Sequence, residues 1–256
     1  MKKIGLLFIG IALLSGSKKT FAQTDFYDVD TIREIKIYFD QPNWDYLLDS
    51  LYVEDAQNRL VASYITVDGF QLDSVGVRYK GYSSANTARI KNPFNIKIDY
   101  IHGNQTYNGI DKIKLSNVIQ DPSFVREVLS YEIARKYMPA SKANYANVYV
   151  NDTLLGLYSN VESVGGEFLE SHYNSSENPF VKGNPETLDL NGENSNLSDN
   201  PGSDSTFYYT LYDMKSDYGW SDLYSLIDTL NNYPEDIESI LNVDRTIWMH
   251  AINFSL

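Results

Sequence analysis

Cysteine is absent from all 256 residues. That excludes disulfides, thiolate metal sites and an acylated cysteine of the lipoprotein kind, so an apolar core has to supply the stability. Internal repeats are lacking too, and after the first two dozen residues no apolar run is long enough to cross a bilayer. Cations are in deficit: 21 Lys and Arg stand against 34 Asp and Glu, a formal net charge of -13. A surface of that sign repels phosphate backbones, which argues against nucleic acid and anionic membrane as partners.

What is present begins with a leader. Met1 to Gln23 reads as a cleavable secretory signal: Lys2 and Lys3, an apolar run from Ile4 to Leu14, then small and polar residues ending in Phe21-Ala22-Gln23. The expected location is secreted, periplasmic or at the cell surface. Loss of this segment removes Lys2, Lys3, Lys18 and Lys19 and takes the charge from -13 to -17. About 230 residues then remain, enough for one large domain or two lobes. Tyrosine is abundant, 21 against 11 Phe; such rings serve sugar or protein contacts when exposed and fill half-buried strand positions otherwise.

Alternation of apolar and polar residues predicts strands at Ile32 to Phe39, Leu60 to Val67, Leu72 to Lys80, Phe94 to Tyr100 and Ile110 to Leu115, with a short helix through Trp44, Leu47, Leu48 and Leu51. Asp68-Gly69 and Asn151-Asp152 suit tight hairpin turns, the second joining strands at Tyr145 to Val150 and Leu154 to Val161. Between them a helix is expected from Phe124 to Tyr137, with Asp121 as cap and Pro122 at its first position. Residues 174 to 204, rich in Asn, Ser, Asp and Gly, read as a long loop. Asp189-Leu-Asn191-Gly-Glu193 has its glycine too early for an EF-hand and lacks the flanking helices. Helices follow at Trp220 to Leu230 and Pro234 to Leu241, and another starts near Asp244, a helix cap, with His250 on its surface. The chain stops within an apolar helical pattern at Ile252 to Leu256, which suggests a truncated chain.

Two patterns carry chemistry. In Asp73-Ser-Val-Gly-Val-Arg-Tyr-Lys-Gly-Tyr-Ser-Ser84, alternation puts Val75, Val77 and Tyr79 on one face and Arg78 and Lys80 on the other, running into a Gly-Ser-Ser loop. Two cations ahead of such a loop suggest anion binding; a solvated strand face is the plainer alternative. On the later helix the stripe 124, 127, 131, 134, 138 is Phe, Glu, Tyr, Ala, Met, so Glu127 sits in an apolar face where an unpaired carboxylate costs several kcal/mol. Its partner should come from the sheet, with Lys97 and Lys114 the candidates; a structural ion pair or a Glu at the stripe's edge reaching water would also fit.

An antiparallel sheet, a helix with an inward Glu, two more strands and then helices is the order of a protein-kinase-like small lobe entering a large lobe, an order many α+β domains share. The motifs resemble those of the CotH family, named for the spore coat protein H kinase, an atypical secreted kinase branch. They are Val77-Arg-Tyr-Lys-Gly-Tyr-Ser-Ser84, Lys91-Asn-Pro-Phe-Asn-Ile-Lys97, Lys114-Leu-Ser-Asn117, Asp121 to Glu132, Val148-Tyr-Val-Asn151 with Gly156-Leu-Tyr158, and Val161-Glu162.

The resemblance implies an α+β fold: a kinase-like small lobe of antiparallel sheet plus one main helix over residues 24–165, then a linker, a polar loop and the start of a helical large lobe over 166–256. It implies transfer of the ATP γ-phosphoryl group, with Mg or Mn, to Ser or Thr of exported proteins. By position, Arg78, Lys80, Ser83 and Ser84 would form a phosphate-facing loop and Glu127 the helix acid. Either Lys97 or Lys114 would pair with that acid, Lys97 being favoured by strand order. Glu162 would fall where the lobes join, near adenine, or be a plain strand-end Glu. No catalytic base or metal ligand is carried over, so the chain alone is expected to be inactive. The alternative is a secreted pseudokinase, or a surface module binding glycan or protein.

Overall fold

The computed structural model describes residues 25–81, 83–187 and 194–255, without the side chains of 253–255. The expected leader and the Asp189 to Glu193 loop lie outside the described residues. Strands β1 (Ile32–Tyr38), β2 (Leu60–Val67), β3 (Phe70–Tyr79), β4 (Phe94–Lys97), β5 (Lys112–Ser116), β6 (Ala143–Val150) and β7 (Thr153–Val161) form one closed barrel in the order β1-β2-β3-β4-β5-β7-β6. Helix α1 (Trp44–Glu54) follows β1, and α2 (Arg126–Ala134) stands between β5 and β6. Beyond the barrel come α3 (Gly166–Tyr173), the hairpin of β8 (Val181–Gly183) with β9 (Tyr212–Met214), α4 (Trp220–Asn232) and α5 (Val243–Ser255).

This corrects the expected kinase-like small lobe of antiparallel sheet with one main helix. The sheet is a seven-stranded mixed barrel, and the overturning element is β1. It pairs antiparallel with β2 and parallel with β6, Ile35 lying opposite both Val67 and Val148. Closure removes both sheet edges, and the inward faces fill one another. Ile35, Ile37, Ile65, Val77, Ile96, Ile113 and Val148 are all fully buried there. Burying a side chain such as Ile35 or Ile37 contributes about 1.5–3 kcal/mol.

Local chemistry accounts for the turns. Asp68 and Gly69 have φ of 49° and 84°, and Asn151 and Asp152 have 44° and 64°, the positive pairs that a two-residue hairpin needs to match strand twist. The start of α2 departs from expectation: Phe124 has φ of 61° and the helix begins at Arg126. Asp121 still serves it, accepting the Arg126 N–H at 2.8 Å. Helix α2 packs Val128 and Tyr131 on Ala143, Tyr145 and Val161, the outer side of β6 and β7. That docking aims the first turn of α2, with Glu127, at the end of β5.

Inside the barrel mouth, Asn144 donates to the carbonyls of Phe26, Asp28 and Thr31 and accepts from Asn160 at 2.9 Å. Buried Arg33 donates to the carbonyls of Phe26 and Asp25 and pairs with Asp68 at 3.0 Å. These bonds seal the first described residues onto the barrel. Loop 174–204 is not wholly irregular, since β8 lies within it. A second apolar cluster of Tyr208, Leu211, Tyr212, Leu223 and Ile227 holds that region together. Residues 234–239 form a 3-10 helix.

Candidate functional site

The outward residues of β3, β4 and β5 lie in two rows. Arg78 is opposite Asn95, and Asn95 is opposite Lys114; two residues further along β5 stands Ser116. Because side chains alternate, Lys112, Lys114 and Ser116 leave the barrel on one side while Ile113 and Leu115 fill its interior. The first row opens on a bay of 1030 Å³ and the second on a cleft of 520 Å³.

The bay takes its cations from Arg59, Arg78, Lys112, Lys114, Lys182 and Lys215. Two of them are compensated: Lys112 pairs with Asp111 at 2.9 Å and Lys215 with Asp213 at 2.8 Å. Among the described residues no carboxylate comes within 4 Å of Arg59, Arg78, Lys114 or Lys182. Arg59 donates to the carbonyls of Gly76 and Asn95, and Arg78 to the carbonyl of Ala56 at 2.6 Å, while the Arg78 Nε is buried with no acceptor. Burial, then the charges of Lys80, Lys112, Lys182 and Arg78, push the Lys114 pKa down to about 8. Arg59 is lowered to about 10, by burial first and Arg78 second. Such a cluster lacks only a counter-charge.

The cleft is lined by Lys80, Ser83, Ser84, Ser116, Arg126 and Glu127 among others. Strand β3 ends at Tyr79, and Gly81 has φ of 85°, so the chain turns away and Lys80 reaches across to β5. A Cβ at Gly81 would run into the Ser84 Oγ, which makes glycine obligatory for this loop. Asn117 fixes the loop from below, donating to the carbonyls of Ser84 at 3.0 Å and Lys91 at 3.1 Å. Lys80 Nζ donates to Ser116 Oγ at 2.8 Å, and Ser116 Oγ donates to Glu127 Oε1 at 3.0 Å. Burial lowers the Lys80 pKa, the charge of Glu127 working the other way.

The expected site residues therefore divide. Lys80, Ser83, Ser84 and Glu127 meet in the cleft; Arg78 and Lys114 face the bay. Neither expected partner reaches Glu127: Lys97 lies 3.8 Å from Asp99, Lys114 looks into the bay, and the lysine that does connect is Lys80, through a hydroxyl. Glu162 stands apart from both rows; its carboxylate accepts the Lys142 N–H at 2.8 Å, a strand-end clasp between β6 and β7. Sequence reasoning missed Ser116, although Lys114-Leu-Ser-Asn117 held the signal, a hydroxyl two residues beyond a lysine on the same strand face. It also missed Arg59, Lys112 and Lys182, which no motif marks. Among the described residues no group of three or more His, Asp or Glu is placed to hold a metal ion. The divalent metal implied by resemblance thus has no such donor set among the described residues.

The outer side of the closed barrel thus carries a bay in which four of six cations have no carboxylate within 4 Å among the described residues. The chain belongs to the CotH kinase protein family, which matches residues 77–255, from the row containing Arg78 through α5. Membership implies use of ATP in general. Comparison with curated proteins returned no match.

Proposed function

We propose that the outer wall of β3, β4 and β5 holds the phosphates of ATP and serves transfer of the γ-phosphoryl group to Ser or Thr hydroxyls of exported proteins. One observation carries this reading: Arg78 and Lys114 flank Asn95 in register and share a large bay, with no carboxylate within 4 Å of either among the described residues. In a chain of net charge -13, four such cations around one bay are a concentrated exception. A triphosphate supplies several negative oxygens at once, enough to meet several of these cations together.

In this reading Lys114, Arg78 and Arg59 neutralise phosphate charge, and Lys80 with Ser83 and Ser84 extends the contact into the adjoining cleft. ATP supplies the transferable group, and the protein's part is positioning and charge neutralisation. The export of the acceptor rests on the leader-like residues 1–23. Calorimetry with ATP, ADP and AMP tests the phosphate assignment: affinity should fall steeply with each phosphate removed. Equal affinity for all three, or no binding of ATP at millimolar concentration, would refute it. Absence of label transfer by this chain is the expected result, since no catalytic base is carried onto its residues, so ATP binding is what decides the phosphate assignment.

A further inference from the structure

We infer that Ser116 is a positioning residue: its hydroxyl couples Lys80 to Glu127 and thereby holds the Lys80 ammonium at the mouth of the cleft, ready for a phosphate oxygen. The inference rests on the phosphate reading above but stands on separate geometry. Lys80 and Glu127 are not in direct ion-pair contact, since no carboxylate lies within 4 Å of Lys80 among the described residues. The Ser116 hydroxyl fills the gap in both directions, accepting from Lys80 at 2.8 Å and donating to Glu127 at 3.0 Å. A hydroxyl has one proton to donate, and here it goes to the carboxylate, leaving its lone pairs for the ammonium. The polarity of the chain is therefore fixed: charge on Glu127 strengthens the oxygen as an acceptor, and that oxygen holds the lysine.

Three features keep the hydroxyl in place. Ser116 ends β5 and is in register with Ser159 of β7, so its backbone belongs to the barrel wall. Glu127 is delivered by α2, which is docked on the outer side of β6 and β7. Lys80 leaves β3 where Gly81 turns the chain, which points its side chain at β5. Each member thus comes from a separate rigid element, the condition for a preorganised contact. Held through a hydroxyl, the ammonium keeps two of its three N–H donors free for an incoming anion, whereas a direct ion pair would draw it down onto α2. Arg126 and Ser84 line the same cleft and would meet the same oxygens.

The pH dependence of acetylation at Lys80, read by competitive labelling and mass spectrometry on the intact chain, tests the coupling without requiring catalysis. Charged groups around Lys80 are Glu127 and Arg126 from α2, Asp121 just ahead of it and Lys114 from β5, so titrations are compared above the carboxylate range. Ser116→Ala should lower the Lys80 pKa further and weaken ATP binding about tenfold, and Ser116→Thr should restore both. Glu127→Gln should lower the Lys80 pKa in the parent chain and by clearly less in the Ser116→Ala background, where only the direct charge effect of Glu127 remains. An unchanged Lys80 titration in Ser116→Ala, or additive effects in the double variant, would overturn the inference even if melting temperature drops. Should the parent chain bind no ATP, the phosphate reading fails, while the Lys80 titration still decides the role of Ser116.

Discussion

Lys80 and Lys114 stand one row apart on the same barrel wall, yet their surroundings are opposite. Lys80 has a carboxylate at one hydroxyl's remove; Lys114 has cations on several sides and, among the described residues, no acid within 4 Å. The first is a completed arrangement that fixes geometry. The second is an incomplete one, whose electrostatic cost in the free protein an anion would relieve. A wall with both can orient a polyanion, because attraction comes from the bay and direction from the cleft.

The largest test of that contrast is Lys114→Met. If the bay is the source of attraction, ATP affinity should fall about a hundredfold, since a half-buried cation is being taken from a polyanion. The free protein should become more stable at the same time, by about 1 kcal/mol after allowance for solvent screening, because a half-buried charge is no longer desolvated and like charges no longer crowd it. Calorimetry and thermal melting read the two effects; a variant that loses stability and keeps its affinity would abolish the distinction between the rows. Glu127→Gln should have a smaller effect on ATP, about tenfold, because it disturbs direction rather than attraction. Equal losses from Lys114→Met and Glu127→Gln would show one site rather than two roles.

Much of this wall was legible in the sequence. Alternation around Val75, Val77 and Tyr79 predicts which side chains are interior, and all three are buried. The turn dipeptides predict their hairpins. Closure of the barrel was not legible, because the parallel pairing of Ile35 with Val148 joins strands more than a hundred residues apart and leaves no local signature. The neighbours of Glu127 were missed for a different reason. Charge arithmetic looks for a lysine opposite an acid, and here a serine stands between them. Alternation also put Arg78 and Lys80 together, but β3 ends between them and the turn at Gly81 sends Lys80 into the neighbouring cleft. Periodicity describes a strand while it lasts and says nothing of the residue that leaves it.

Acidity should sharpen the contrast next. The Lys114 pKa is pushed down to about 8, below the ordinary lysine value that the unfolded chain would show. Between those values the folded state binds fewer protons than the unfolded one, so this residue's destabilising contribution is full below pH 8 and fades as pH rises above it. Stability traceable to Lys114, the difference between the parent chain and Lys114→Met, should therefore shrink from pH 7 to pH 10. Affinity for tripolyphosphate should move the other way, falling about fivefold between pH 7 and pH 9 as the ammonium loses its proton. Proton uptake on binding at pH 8, measured by calorimetry in buffers of different ionisation enthalpy, checks the same point; no uptake would mean that Lys114 does not meet the anion.

The smallest expected effect belongs to the compensated cations at the rim of the bay. Lys215 lies 2.8 Å from Asp213, and both are partly exposed. A surface pair of this kind contributes about 0–1 kcal/mol, and its lysine already has a counter-ion. Lys215→Met should therefore change ATP affinity less than about threefold, and added salt should reduce even that. Asp213→Asn turns the argument round. With its partner neutralised, Lys215 would join the uncompensated set, and ATP affinity should rise slightly while the free protein loses a little stability. If removing Lys215 instead cost as much as removing Lys114, the presence of a carboxylate would not be what separates working cations from idle ones, and the division of this wall into a charged and a directing half would have to be drawn elsewhere.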